Sequence, residues 1–299
     1  LTRRLARQLV TDAKDMSIRS VVRHHRLDWY LIQALVTSSA TTVAEHRRRY
    51  RVLVGGRDLE RKRHRYVTVL QDSGTGQILA MVAHRNAVAL SAFFIEQGPK
   101  WCRGVKVVVS DGSKSYRSAI EVHLGGARHV LDRFHVVRWF TDALTLVRRD
   151  LQRREPAGIE PAFDPELFRA RFLLLKRADT LNDDEQTRLN RLFDTHPRLK
   201  AGWDALQQLH GLYLANDRAG ALQALDRFTD LYATGELPEH HSVGDTIIAW
   251  GDQILDRQDS GRPSNGRIEG TNNLRQVLRR VAHGFIKTDN FAARGLLVT

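Results

Sequence analysis

The sequence predicts an α/β protein: a mixed sheet flanked by helices, with an all-α insertion and a small N-terminal helical segment. Three observations lead there. Strand-like stretches between 52 and 84 follow one another in meander fashion, and later strands alternate with helices as far as 140. Residues 140–260 contain no convincing strand, only successive helical patterns. The resulting order is not a repeated βαβ pattern and carries no glycine-rich nucleotide loop, so a mixed sheet is its natural outcome.

Leu1, Leu5 and Leu9 share one helix face, and residues 1–37 read as helical. "SIRSVVRHH" and "DWYLIQALV" are two short helices around a tight break, with Asp28 as N-cap of the second. Trp29, Tyr30 and Gln33 on that second helix give the pair the look of a helix-turn-helix, whose second helix enters a major groove. A plain helical cap has the same pattern. "VLVGG" reads as a short strand and turn between the basic runs "RRRYR" and "RDLERKRHR". "YVTVLQD" and "QILAMVAH" around "SGTG" predict a hairpin over 66–84. "AVALSAFFIEQG" is an amphipathic helix with Leu90, Phe93 and Phe94 on one side and Gly98 at its end. A strand over 105–110, the helix "SYRSAIEVHL", a strand "ARHVLD" and the long helix "RFHVVRWFTDALTLVRRDLQRR" follow. The insertion contains "PELFRARFLLLKR", "DEQTRLNRLFDTH", "LKAGWDALQQLHGLYLA" and "AGALQALDRFTDLYATG", punctuated by Asn182, Pro197 and Gly235. "SNGRIEGTNNLRQVLRRVAHGF" reads as loop, then helix.

With 299 residues, 42% of them hydrophobic, the chain can bury a sizeable core. No apolar run approaches the ~20 residues of a membrane span. The single cysteine, Cys102, excludes disulfide frameworks and cysteine zinc sites within the chain and fits a reducing cytoplasm. The chain begins at Leu1, so a natural N-terminal piece is expected to be missing. The net charge is +13, which suggests a polyanionic partner. Residues 1–66 hold 16 Lys/Arg against 6 Asp/Glu, residues 141–260 hold 15 against 21, and residues 261–299 hold 7 against 2. Two basic ends thus flank an acidic middle, and the element type changes at the same boundaries.

Two strands end in aspartate, Asp111 and Asp132, at the position where α/β sheets expose reactive groups. The last predicted helix begins with Glu269, which at 100° per residue shares a polar face with Asn272, Asn273, Gln276 and Arg280. Clustered carboxylates repel and desolvate at high cost unless a cation joins them. Hard divalent cations take oxygen ligands, and two of them ~3.5–4 Å apart can drive phosphodiester displacement. Rigid presentation of Asp111 to Mg²⁺ is one reading; a strand-end turn residue is the other.

"VVVSDGSKSYRSAI", "HVLDRFHVVRW" and "SNGRIEGTNNLRQVLRRVAHGF" together resemble the ISL-three insertion-sequence transposases of bacteria, over roughly residues 50–299. These are DDE enzymes, and the resemblance implies a ribonuclease-H-like fold, Mg²⁺ or Mn²⁺ as cofactor, and cleavage and joining of DNA ends. Carried over residue by residue, Asp111 matches the second acid and Glu269 the third. Asp132 and His135 match an Asp-x-x-His signature and are expected to support the metal centre. The family's first acid falls, by ungapped counting from Tyr66, on Gly56; Asp58 is the nearest carboxylate. Either Asp58 serves as catalytic residue and metal ligand with Asp111 and Glu269, or this copy lacks its first ligand and binds DNA without cutting it.

The resemblance further implies double-stranded DNA as partner, both element ends and target, and pairing of two ends by a homo-oligomer. No membrane partner is expected, and the location is cytoplasmic, with the nucleoid. Arg47, Arg48, Arg49, Arg61, Lys62, Arg63, Arg275, Arg279 and Arg280 suit DNA phosphates. Trp139, Trp203 and Trp250 read as core residues rather than base-stacking ones. The expected domains are a helix-turn-helix-like DNA-binding segment at 1–46, the first part of the catalytic core at 47–140, the helical insertion at 141–260, and the C-terminal catalytic helix at 261–299.

Overall fold

The computed structural model of the chain describes residues 1–46, 52–60, 65–153, 164–234, 238–263 and 288–297. It divides into two compact units, Leu1–Val130 with Pro263–Thr299, and Leu131–Arg262.

The first unit opens with three helices, α1 (Arg3–Asp15), α2 (Ile18–His25) and α3 (Trp29–His46). Each start is capped as its sequence dictates: Thr2 Oγ1 accepts from the Leu5 amide, Ser17 Oγ from Ser20, and Asp28 Oδ1 from Tyr30 and Leu31. Leu9, Ala13, Ile18, Val21, Ile32, Val36 and Ala40 form the bundle core. The C-terminal helix α13 (Thr288–Leu297) completes it with Ala293 and Leu297. The Arg294 guanidinium is buried there and donates to the carbonyls of Ala13 and Met16. Burial pushes its pKa down to about 10. Gln33, one of the three side chains singled out on the second helix of the pair, donates to Asn290 of α13 at 3.0 Å.

The sheet has β1 (Val52–Glu60), β2 (Arg65–Asp72), β3 (Ile78–Ala83), β4 (Val107–Ser110) and β5 (Arg128–Leu131), in the order β3-β2-β1-β4-β5. β1 and β2 are antiparallel, as are β2 and β3, while β1 and β4 run parallel. The sheet is therefore mixed, as expected. Helices α4 (Ala87–Gly104) and α5 (Lys114–His123) cover one face. The side-chain period of two decides what goes where. Leu70 and Val108 pack with Leu90, Phe94, Tyr116 and Ile120 of those helices. Val67 and Val69 pack instead with Phe291 of α13. Gly98, at φ 81°, breaks α4 before Pro99, as the sequence suggested.

β1 departs from the sequence reading. A glycine pair signals a turn, yet the strand runs on through Gly55 and Gly56, which pair with Leu70 and Val69. A full-length partner in β2 satisfies the backbone along the whole segment and overrides the local signal.

The second unit is all helical: α6 (Arg133–Arg153), α7 (Pro165–Arg169), α8 (Asp183–Thr195), α9 (Pro197–Leu214), α10 (Arg218–Thr234), α11 (Pro238–Ala249) and α12 (Gly251–Asp259). It begins ten residues before the expected 141. The reason is α6, whose Phe140, Leu144 and Val147 join the helical core with Leu199, Leu206, Leu209 and Phe228. Trp203 and Trp250 are buried in that core and Trp139 packs against it. "PELFRARFLLLKR" is a single turn of α7 followed by 3-10 turns at Leu173–Leu175 and Ala178–Thr180. Its buried positions Leu167, Ala170 and Leu173 recur every three residues, the 3-10 repeat.

Candidate active site

Asp111 follows β4 directly and is buried. Its Oδ1 accepts from the Ser113 amide at 3.1 Å across a turn that Gly112 makes at φ 77°. A residue with a Cβ is strained at that angle. The carboxylate's other oxygen lies 3.4 Å from Arg85 Nη2. Arg85 sits against the Tyr116 ring, 5.9 Å from its centroid, and its Nε is buried without a hydrogen-bond partner among the described residues. The Tyr116 hydroxyl shares a 2.8 Å hydrogen bond with Thr68 Oγ1, which in turn lies 2.8 Å from the His84 carbonyl oxygen. Burial pushes the Tyr116 phenol up, and the Asp111 charge adds to that rise.

Behind Asp111, Ser110 Oγ and His129 Nε2 are 2.8 Å apart, joining β4 to β5. Burial lowers the His129 pKa to about 4, so near neutral pH the imidazole is an uncharged hydrogen-bonding strut. Among the described residues the strand end thus presents the Asp111 carboxylate, fixed by a turn on one side and a guanidinium on the other.

Asp58 lies in β1 opposite Val67 of β2. The parallel pairing sets Val52, Leu53 and Val54 against Val107, Val108 and Val109. Continued for two residues, that register brings Gly56, not Asp58, level with Asp111. Positions 56 and 58 have the same parity in the strand, one pleat apart.

In the helical unit, Asp132 is fully buried at the head of α6, and His135 Nδ1 lies 2.7 Å from its Oδ2. The three-residue spacing places the pair on adjacent helix positions. Glu269 lies outside the described residues, as do Arg47, Arg48, Arg49, Arg61, Lys62, Arg63, Arg275, Arg279 and Arg280. Among the described residues no group of three or more metal-ligating side chains comes together. No described helix is long and apolar enough to cross a membrane.

Arg85, Thr68 and His129 were not singled out from the sequence. Arg85 sits in the loop after a hairpin, where nothing local marks it, and its link to Asp111 spans 26 residues.

A carboxylate at a strand end of a mixed sheet stands where α/β folds present reactive side chains. A family model described as a transposase, the DDE family of ISL3 type, matches residues 59–295. The chain belongs to that family. It is 25% identical over 295 residues to the transposase for insertion sequence element IS1001 of Bordetella parapertussis, covering 97% of this chain and 72% of the relative. It is 26% identical over 294 residues to the transposase for insertion sequence element IS1557 of Mycobacterium tuberculosis, covering 91% of this chain and 66% of that relative. The chain therefore spans 72% of the first relative's length and 66% of the second's.

Proposed function

We propose that the protein cleaves DNA at insertion-sequence ends and transfers the freed strand to target DNA, using Mg²⁺ or Mn²⁺ held by Asp111, Glu269 and Asp58. The observation that carries this reading is Asp111: a buried carboxylate, immobilised by the Ser113 amide at the end of a β-strand. The strand order β3-β2-β1-β4-β5, with β4 parallel to β1, supports a ribonuclease-H-like core.

The donor chemistry at Asp111 fits one ligand of a hard cation, since among the described residues its second oxygen meets only the long Arg85 contact. When bound, the metal supplies Lewis acidity for in-line displacement at phosphorus. The protein's share is positioning. Ser113 and Gly112 fix the carboxylate, and Arg85 offsets its charge when no cation is present. In this reading Asp132 and His135 act beside the centre as a hydrogen-bonded pair rather than as ligands. The basic residues of 47–63 and Arg275, Arg279 and Arg280 hold phosphates of double-stranded DNA, and two ends are paired by a homo-oligomer.

A second reading is favoured by the pairing of Val54 with Val109, which, continued for two residues, sets Gly56 level with Asp111. On it the chain binds DNA but cuts poorly, for want of the first acid. Nicking of supercoiled DNA bearing element ends separates the two. Metal-dependent nicking that is lost in Asp58→Asn supports the first. Nicking that appears only in Gly56→Asp supports the second.

A further inference from the structure

Arg85 is held more firmly than it is used. Its Nη2 reaches one oxygen of Asp111 at 3.4 Å, whereas a bidentate arginine–carboxylate pair makes two contacts of roughly 2.7–2.9 Å. The guanidinium carries several N–H donors in a fixed fork. Its Nε is buried with no hydrogen-bond partner among the described residues. The side chain as a whole is 29% exposed, against 5% for Asp111, so an incoming ligand can reach it without unfolding the strand end.

The support around the fork is firm. The guanidinium carbon lies 5.9 Å from the centroid of the Tyr116 ring, within cation–π range. Tyr116 is buried, and its hydroxyl is tied to Thr68 Oγ1, which itself donates to the His84 carbonyl. His84, the residue before Arg85, has φ 73°, an uncommon conformation for a residue with a Cβ. Its amide donates to the Tyr66 carbonyl at 2.7 Å. The chain is thus turned, and fastened through both backbone groups of His84, where it delivers Arg85 to the strand end. A fastened fork with a loose contact and an unspent buried donor is not explained by neutralising Asp111 alone. It suits a second anion arriving beside that carboxylate, and in the transposase reading the arriving anion is a phosphodiester. A guanidinium matches phosphate bidentately and stabilises the charge on its non-bridging oxygens during displacement at phosphorus.

We propose that Arg85 is a catalytic residue with two successive partners. Without a divalent cation it occupies Oδ2 of Asp111. When Asp111 ligates the cation, Arg85 leaves that oxygen and donates through Nη2 and Nε to the non-bridging oxygens of the scissile phosphate. Arg85 and the divalent cation therefore compete for one carboxylate. No bond to Arg85 forms or breaks, and its guanidinium stays protonated throughout. The assignment rests on the reading of Asp111 as a metal ligand.

The test pairs two measurements on the full chain. Electron paramagnetic resonance of Mn²⁺ without DNA reports how much of the ion is bound, and Asp111→Asn gives the share held elsewhere. Arg85→Gln raises Mn²⁺ affinity roughly threefold, the scale of a partly exposed ion pair. Arg103→Gln, an exposed arginine of α4, leaves it unchanged. Nicking of supercoiled DNA at saturating Mn²⁺ falls about a hundredfold in Arg85→Gln, the scale of losing one oxyanion donor. It is followed in the wild type, or in Gly56→Asp if that variant alone nicks. Arg85→Lys keeps Mn²⁺ affinity within about twofold and nicks about tenfold more slowly, because an ammonium keeps the charge and lacks the fork. That variant decides the matter if circular dichroism shows Arg85→Gln misfolded. A residue that only held Asp111 in place would lose Mn²⁺ affinity and nicking together. Lower Mn²⁺ affinity in either Arg85 variant, or unchanged affinity in Arg85→Gln, with binding still lost in Asp111→Asn, overturns the proposal and leaves the metal reading intact. Undiminished nicking by either Arg85 variant overturns it as well. Mn²⁺ binding that Asp111→Asn does not reduce counts against the metal reading itself, and nicking by neither background against the cleavage reading; the proposal falls with either.

Discussion

The sheet-bearing unit and the helical unit are built in opposite ways. In the first, residues far apart in sequence meet: β1 lies beside β4, with Val54 against Val109, and Arg85 reaches Asp111. Its interior includes polar side chains, Ser110, Asp111, His129 and Thr68 among them, each with a hydrogen-bond partner. In the second, neighbouring helices pack on each other around a leucine- and aromatic-rich core. The contrast teaches where function and stability separate. Buried polar groups are costly unless satisfied, so a sheet end that keeps them marks chemistry. The apolar core of the helical unit carries stability.

The largest effect that sharpens this contrast is on activity. Asp111→Ala should lower strand cleavage by about a thousandfold or more, the scale of losing a metal ligand, with DNA binding within a few-fold. Plasmid nicking and anisotropy measure the two. In the helical unit, Leu206→Ala should cost ~2–5 kcal/mol of stability, because Leu206 is fully buried. Urea unfolding followed by the fluorescence of Trp203 and Trp250 reads it.

The sheet unit should also be the acid-sensitive one. His129 is held at about 4 by burial, against ~6.5 in an unfolded chain. The unfolded state binds the extra proton between those values, so stability falls as pH drops from about 6.5 to about 4, by up to ~3 kcal/mol. His129→Asn flattens that part of the pH–stability curve, as urea unfolding at a series of pH values measures. The smallest effect belongs to the helical unit again. Asn182 and Glu185 form a reciprocal capping box at the start of α8, and Asn182→Ala should cost ~1 kcal/mol.

The two units also differ in how much of them could be read from sequence. In the helical unit the cap at Asn182 and the helix read over 199–215, observed as Pro197–Leu214, followed from periodicity and capping, which are local. The 3-10 turns after α7 did not, because a three-residue repeat is close to a helical one over so short a stretch. In the sheet unit the hairpin was legible from alternation, the strand before Asp111 from its apolar run and α5 from its helical pattern. The extent of β1 was not, since it depends on β2 as a partner. Arg85 and His129 were invisible for the same reason: their value comes from the strand beside them, not from the residues next to them in the chain. The register of β1 on β4, likewise a long-range property, agrees with the count back from Tyr66 in pointing to Gly56.

A metal-ligand role for Asp111 at a catalytic strand end stands or falls on Mn²⁺-dependent nicking of supercoiled DNA carrying element ends, comparing wild type with Asp111→Asn at matched DNA occupancy. The wild type is expected to nick, and nicking should vanish with chelator and in the isosteric variant. Undiminished nicking by Asp111→Asn, or no nicking by the wild type at any Mn²⁺ concentration, would contradict it.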